Sequence, residues 1–128
     1  MELGTGHVVA PLAAAVERVR AYATGSWAIA TGHVQLVEPQ VVVGQRGDTV
    51  VVRARLDAAS VSAQALDRLA ASLVADGWGL DRSDGAVARL DASRTGVVLE
   101  ATHDAGAGAL VLRVRSTPIP VADGTDPR

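Results

Sequence analysis

The sequence predicts an α+β fold, a two-layer sandwich with two helices on one face of an antiparallel sheet. Two apolar stripes at helical spacing are separated and followed by short segments that alternate apolar and polar residues. Glycine-, aspartate- and serine-rich turns break those segments at hairpin distances. Helices covering one face of an antiparallel sheet bury both kinds of stripe at once. The expected order is α-β-β-α-β-β-β, with room for one further short strand.

The first helix is expected over Pro11 to Thr24, with Leu12, Val16, Val19 and Ala23 on one side and Glu17, Arg18 and Arg20 on the other. Pro11 suits a first helical turn and Gly25 a closing residue. Trp27 is expected to pack under the helix terminus. His33 to Val37 reads as a short strand that bends at Pro39 and resumes at Val41-Val42-Val43. Gly44 to Asp48 forms a hairpin turn. Thr49 to Leu56 then sets Val50, Val52, Ala54 and Leu56 against Arg53 and Arg55.

The second helix runs from about Ser60 to Asp76, with Ser60 or Ser62 as N-cap. Leu66, Leu69, Leu73 and Val74 form its apolar stripe, and Gly77 ends it. The stripe is expected to pack on Val50, Val52, Leu99, Leu110 and Leu112. Strands follow at Trp78 to Arg82, Ala86 to Asp91, Gly96 to His103 and Ala109 to Arg115. Each helix is followed by a glycine, a tryptophan and then strands, which admits a tandem αββ pseudo-repeat. The chain reads as one domain, 1–128, with extended or frayed tails at 1–10 and 117–128.

Composition excludes several functions. A hydrophobic fraction of 48% rules out general disorder. The net charge of -2 gives no global field for nucleic acid or an anionic membrane. Cysteine is absent, which removes disulfides, thiol catalysis and cysteine-ligated metals. No apolar run is long enough to span a membrane. The N-terminus lacks a secretory leader, so the chain as written reads as cytoplasmic, or as secreted or cell-surface if a leader has been removed. All 12 basic residues are arginine. With the excess of Ala, Val, Gly and Asp, this is the coding bias of a GC-rich genome.

No catalytic constellation emerges. His7, His33 and His103 have no converging spacing and read as turn or surface histidines. His103-Asp104 lacks a Gly-x-Ser-x-Gly nucleophile partner. The glycines of Asp104 to Gly108 lie between strands rather than at a helix start, where a phosphate loop would need them. Asp76, Asp81, Asp84 and Asp91 fall in turn-like contexts. The sequence therefore assigns no catalytic residue, no metal ligand and no cofactor, and it leans away from an enzyme.

The charged strand residues do have spatial shape. Arg53 with Arg55, Arg113 with Arg115, and Arg89 occupy alternate strand positions opposite the apolar residues. Glu100 joins them in mid-strand. The plainer reading is a solvated sheet face. The sharper one is a docking face, polar and net positive, for an acidic protein segment. Self-association through a sheet edge is a second route to a partner. Stacking aromatics for single-stranded nucleic acid are missing.

The stretch from Leu66 to Thr117 carries a helix ending in Leu73-x-x-x-Gly77-Trp78, short strands, and a strand running into Ser116-Thr117-Pro118. It resembles small secreted or lipid-anchored actinobacterial proteins of unknown function over about half the chain. The resemblance implies an actinobacterial origin and assigns no site residue. Chains of that kind often carry a cysteine near the Ser-Thr-Pro position and a lipobox leader, whereas here Ile119 follows Pro118.

The preferred function is a non-catalytic binding or interaction domain. The alternatives are a small-ligand carrier or enzyme with a pocket between helices and sheet near Tyr22, Trp27 and Trp78, and an immunity- or chaperone-type partner protein. Elemental analysis of dialysed protein should find no stoichiometric zinc, iron or calcium. One retained ion per chain would overturn that expectation.

Overall fold

A computed structural model describes residues 2–32 and 38–120, with side chains from Pro11 onward. Helix α1 spans Glu2–Thr31 and is followed by strands β1 (Gln40–Arg46) and β2 (Thr49–Ala58). Helix α2 (Ala65–Ala75) precedes β3 (Gly79–Ser83), β4 (Val87–Arg94), β5 (Val97–Asp104), β6 (Ala109–Ser116) and the two-residue β7 (Ile119–Pro120). The sheet is antiparallel, ordered β1-β2-β6-β5-β4-β3, with β7 also paired to β2. Both helices pack on the same layer, α1 over β2 and β6 and α2 over β3, β4 and β5. The α+β class and the two-layer arrangement are as the sequence predicts.

Helix α1 is longer than its apolar pattern suggests. It starts at Glu2 rather than Pro11 and passes through Gly25, so Pro11 lies inside it. Ala15, Val19, Ala23, Trp27 and Ala30 form a buried stripe, with Ser26 beside it. A glycine inside a helix costs about 1 kcal/mol relative to alanine. Burial of Trp27 and Ala30 beyond Gly25 outweighs that cost. Trp27 is therefore a helix residue, not a cap beneath one. The helix ends instead at Gly32, whose φ of 75° places it in the left-handed region. Arg68 of α2 donates from Nε and Nη2 to the Ala30 carbonyl oxygen at 3.3 and 3.0 Å. That cation satisfies a terminal carbonyl at the negative end of the α1 dipole. The predicted strand over residues 33–37 lies outside the described residues.

Helix α2 begins later than predicted, and neither Ser60 nor Ser62 caps it. Its N-cap is Gln64, without a side-chain cap bond. The Ser62 hydroxyl accepts from the Gln64 N–H at 3.1 Å in the turn before. Ser60 has φ 60° because the β5–β6 hairpin pins it: the Val61 N–H donates to the Gly108 carbonyl at 2.8 Å. Gly108 has φ 65°, and a Cβ on it would stand 3.2 Å from the Ser60 Cα, so any other residue there would be strained and would push the Ser60 backbone away. At the other end Gly77 and Trp78 donate back to Val74 and Leu73, the Schellman pattern that the glycine foreshadows. Gly25 and Gly77 thus play unlike parts, although each helix is followed by an antiparallel strand pair, β1–β2 and β3–β4.

Leu66, Leu69 and Leu73 are buried on α2, joined by Ala65, but Val74 is 61% exposed. Val74 falls outside the arc that a short helix can press onto a twisted sheet. From the sheet, Val50, Val52, Ala54, Leu56, Leu90, Leu99, Leu110, Leu112 and Val114 complete the core. Strand β2, which carries Val50 and Val52, packs under α1 rather than under α2.

Residues 117–120 are ordered by a bulge. Arg115 pairs with Arg53, whereas Ile119 pairs with Val50, so one extra residue is taken up between them. The buried Ser116 hydroxyl accepts from the Val52 N–H at 3.0 Å, satisfying a donor that the bulge would otherwise orphan. The chain past Thr117 therefore begins as an extended strand paired to β2.

Truncation of Leu69 to alanine should cost about 2–5 kcal/mol of unfolding free energy in a denaturant melt. Val74→Ala should change it by no more than about 0.5 kcal/mol. Equal losses at the two positions would show that the packing of α2 differs from that described.

Candidate functional site

Strand alternation divides the sheet into a core face and an outer face. Among the described residues no element covers the outer face. Direct cross-strand partners put Arg53 opposite Arg115 and Arg55 opposite Arg113. Arg113 is also opposite Glu100, Glu100 opposite Asp91, and Arg89 opposite Thr102. All six predicted face residues, Arg53, Arg55, Arg89, Glu100, Arg113 and Arg115, therefore lie on one side. They line a concavity of about 450 Å³ together with Gln40, Val42, Asp91 and Val98. A second concavity of about 300 Å³ adjoins it and shares Arg53 and Arg115.

The electrostatics differ from the expected ring of arginines around one carboxylate. Asp57, Asp81, Asp91 and Asp104 stand on the same face by register, so it is close to neutral overall. Asp81 and Asp91 are strand residues, not turn residues. The charges are segregated: cations gather on β2 and β6, carboxylates on β3, β4 and β5. Asp57 on β2 and Arg89 on β4 are the exceptions, and Arg89 is held by Asp91 at 2.9 Å and Glu100 at 2.8 Å. The hydrogen bond to Asp91, with the nearby charge of Glu100, raises its guanidinium pKa above the ordinary value. Arg55 meets Asp57 at 3.2 Å. For Arg53, Arg113 and Arg115 no carboxylate stands within 4 Å among the described residues.

Two cross-strand Arg–Arg pairs, set side by side, oppose folding, since like charges directly opposite one another destabilise a sheet. The Asp81–Asp91 and Asp91–Glu100 partners do the same on the other half. Gly44 lets the arrangement relax: a Cβ there would come 3.2 Å from Arg53 Nη1, so the guanidinium lies across β1 toward the sheet edge. Val42, 53% exposed, flanks it.

The other candidates resolve differently. His103 is a buried core-face residue, with Nε2 2.8 Å from the Val61 carbonyl oxygen, not a surface histidine. It ties β5 to the segment before α2. His7 and His33, read from the sequence as turn or surface histidines, lie outside the residues whose side chains are described. Among the described residues no three His, Asp or Glu side chains gather as a metal cage would require. Asp104 accepts from the Gly106 and Ala107 N–H groups at 2.9 and 3.4 Å, a turn-forming role. Tyr22 packs edge-on against Trp78 at 5.2 Å, and Trp27 is buried. These aromatics fill the space between the layers. No described helix is long and apolar enough to cross a membrane.

The sequence reading missed Asp91 and Asp81 as members of the face. The signal was available in the alternation Val87-x-Arg89-x-Asp91-x-Ser93 against Ala88, Leu90 and Ala92. Compared with family models, curated proteins and solved structures, the chain matches none.

Arg53→Gln combined with Arg113→Gln should leave the melting temperature unchanged or slightly raised, because each change relieves a like-charge pair. A fall of several degrees in a thermal melt would show that these guanidiniums support the fold.

Proposed function

We propose that the protein is a non-catalytic interaction domain whose contact surface is the outer face of the sheet, engaging a protein segment that presents carboxylates to Arg53, Arg55, Arg113 and Arg115. The observation that supports this most is the pair of opposed arginine couples on β2 and β6. A face shaped only for solubility would intersperse its charges, since unlike neighbours stabilise a sheet and like neighbours weaken it. Concentrating cations here disfavours the free state and favours whatever brings matching carboxylates. The concave surface and the half-exposed Val42 offer apolar contact beside the charge.

A short polyglutamate peptide titrated into dilute, isotopically labelled protein at low salt tests the reading. Amide shifts should be confined to β1, β2 and β6 and should vanish in the Arg53→Gln/Arg113→Gln protein. An absence of localised shifts up to about 1 mM peptide would overturn it.

A further inference from the structure

Two rows of the outer face are complementary to themselves, while a third, Val42, Arg53, Arg115, Val98, Ser93, Gly79, sets its two arginines against neutral residues. Successive cross-strand partners form rows running across the sheet. One row reads Gln40, Arg55, Arg113, Glu100, Asp91, Asp81 from β1 to β3. Folded about a line between β6 and β5, it sets Arg113 against Glu100, Arg55 against Asp91, and Gln40 against Asp81. A neighbouring row reads Asp57, Val111, Thr102, Arg89 from β2 to β4. The same fold line sets Asp57 against Arg89 and Val111 against Thr102. Every charge in these two rows meets an opposite charge or a neutral polar group, though within the chain the first row groups like with like.

A two-fold axis parallel to the strands and lying above the β6–β5 boundary produces this superposition between two chains. We propose that the partner of the outer face is a second copy of this chain, docked face to face about that axis. This rests on the reading of the outer face as a contact surface and names its occupant. The interface is isologous, so each pairing occurs twice.

Shape permits the contact. A twisted sheet is a saddle, and rotation by half a turn about an axis along its strands carries a saddle onto itself. Face-to-face sheet packing relies on that property. The area is also adequate. Six strands at ~4.8 Å spacing and about eight residues at ~3.3 Å give a face near 29 by 26 Å. That is about 750 Å² per chain, close to the ~800 Å² per partner of a standard protein interface. Val42, Val98 and Val111 contribute apolar contact between the charged rows.

The test uses Arg55 and Asp91, which lie on β2 and β4 with two strands between them and so do not pair within one chain. Sedimentation equilibrium at about 100 µM protein and low salt should give twice the chain mass, falling toward one chain mass near 1 M salt as the charges are screened. Arg55→Asp alone and Asp91→Arg alone should each be monomeric. Mixed in equal amounts, they should form a heterodimer. The new carboxylate at position 55 of one chain then faces the new guanidinium at position 91 of the other, and the symmetry-related contact keeps its native Arg55–Asp91 pair. Should either variant fold poorly, Arg113→Glu and Glu100→Arg provide the same pairing at the neighbouring positions of the row. A dimer indifferent to both single changes would overturn the proposal by placing the interface elsewhere. A parent protein monomeric at low salt, with polyglutamate still shifting β2 and β6, would overturn self-association while leaving the interaction face standing. Monomer together with no polyglutamate shift would overturn both.

Discussion

The pairing of β6 with β2 decides which side of the sheet every residue of both strands faces. Because strand side chains alternate, a slip of one residue would send Leu110, Leu112 and Val114 outward and bury Arg113 and Arg115. Core and candidate site are thus two consequences of a single register. That register is locked at its far end by the Ser116 hydroxyl on the Val52 N–H and by the bulge leading into β7. At its near end, the Val61–Gly108 bond holds the β5–β6 hairpin against the approach to α2. Together they brace the central strands from both ends.

With the register fixed, the helices have little freedom. The core contains no phenylalanine, so it is assembled from many small side chains. Helix α1 turns Ala15, Val19, Ala23 and Ala30 toward the sheet, which lets its backbone approach closely, and Trp27 fills the volume that those small residues leave. Arg68 then joins the end of α1 to α2, so the helical layer is tied by a charge-assisted hydrogen bond as well as by packing.

The outer face carries the opposite design. Its charges are arranged against the interest of the isolated chain, cation beside cation on β2 and β6 and carboxylate beside carboxylate on β3 to β5. Segregation of that kind weakens a lone sheet slightly and strengthens a contact with any surface of the inverse pattern. Turned over, the rows through Arg113 and Val111 have that inverse pattern. Because exposed ion pairs are individually weak, such a contact depends on several forming together and is sensitive to salt.

Local chemistry was enough to determine the class of fold, the stripe Leu66, Leu69, Leu73, the Gly77 terminus, the hairpins and the shared side of the six charged residues. Each follows from a period of two or 3.6 residues or from one backbone preference. Tertiary structure decided the remainder. Gly25 carries a strong local stop signal, and the burial of Trp27 and Ala30 against the sheet overrides it. Ser60 offers a cap by composition but is drawn into the left-handed region by the hairpin near Gly108. Val74 belongs to the apolar stripe by spacing and is left exposed by the limited arc of contact. The neighbours of each charge, and hence the segregated rows, depend on strand order β1-β2-β6-β5-β4-β3. Alternation along a strand tells which face a residue takes; which strand lies beside it is set by long-range pairing, and no local periodicity encodes that.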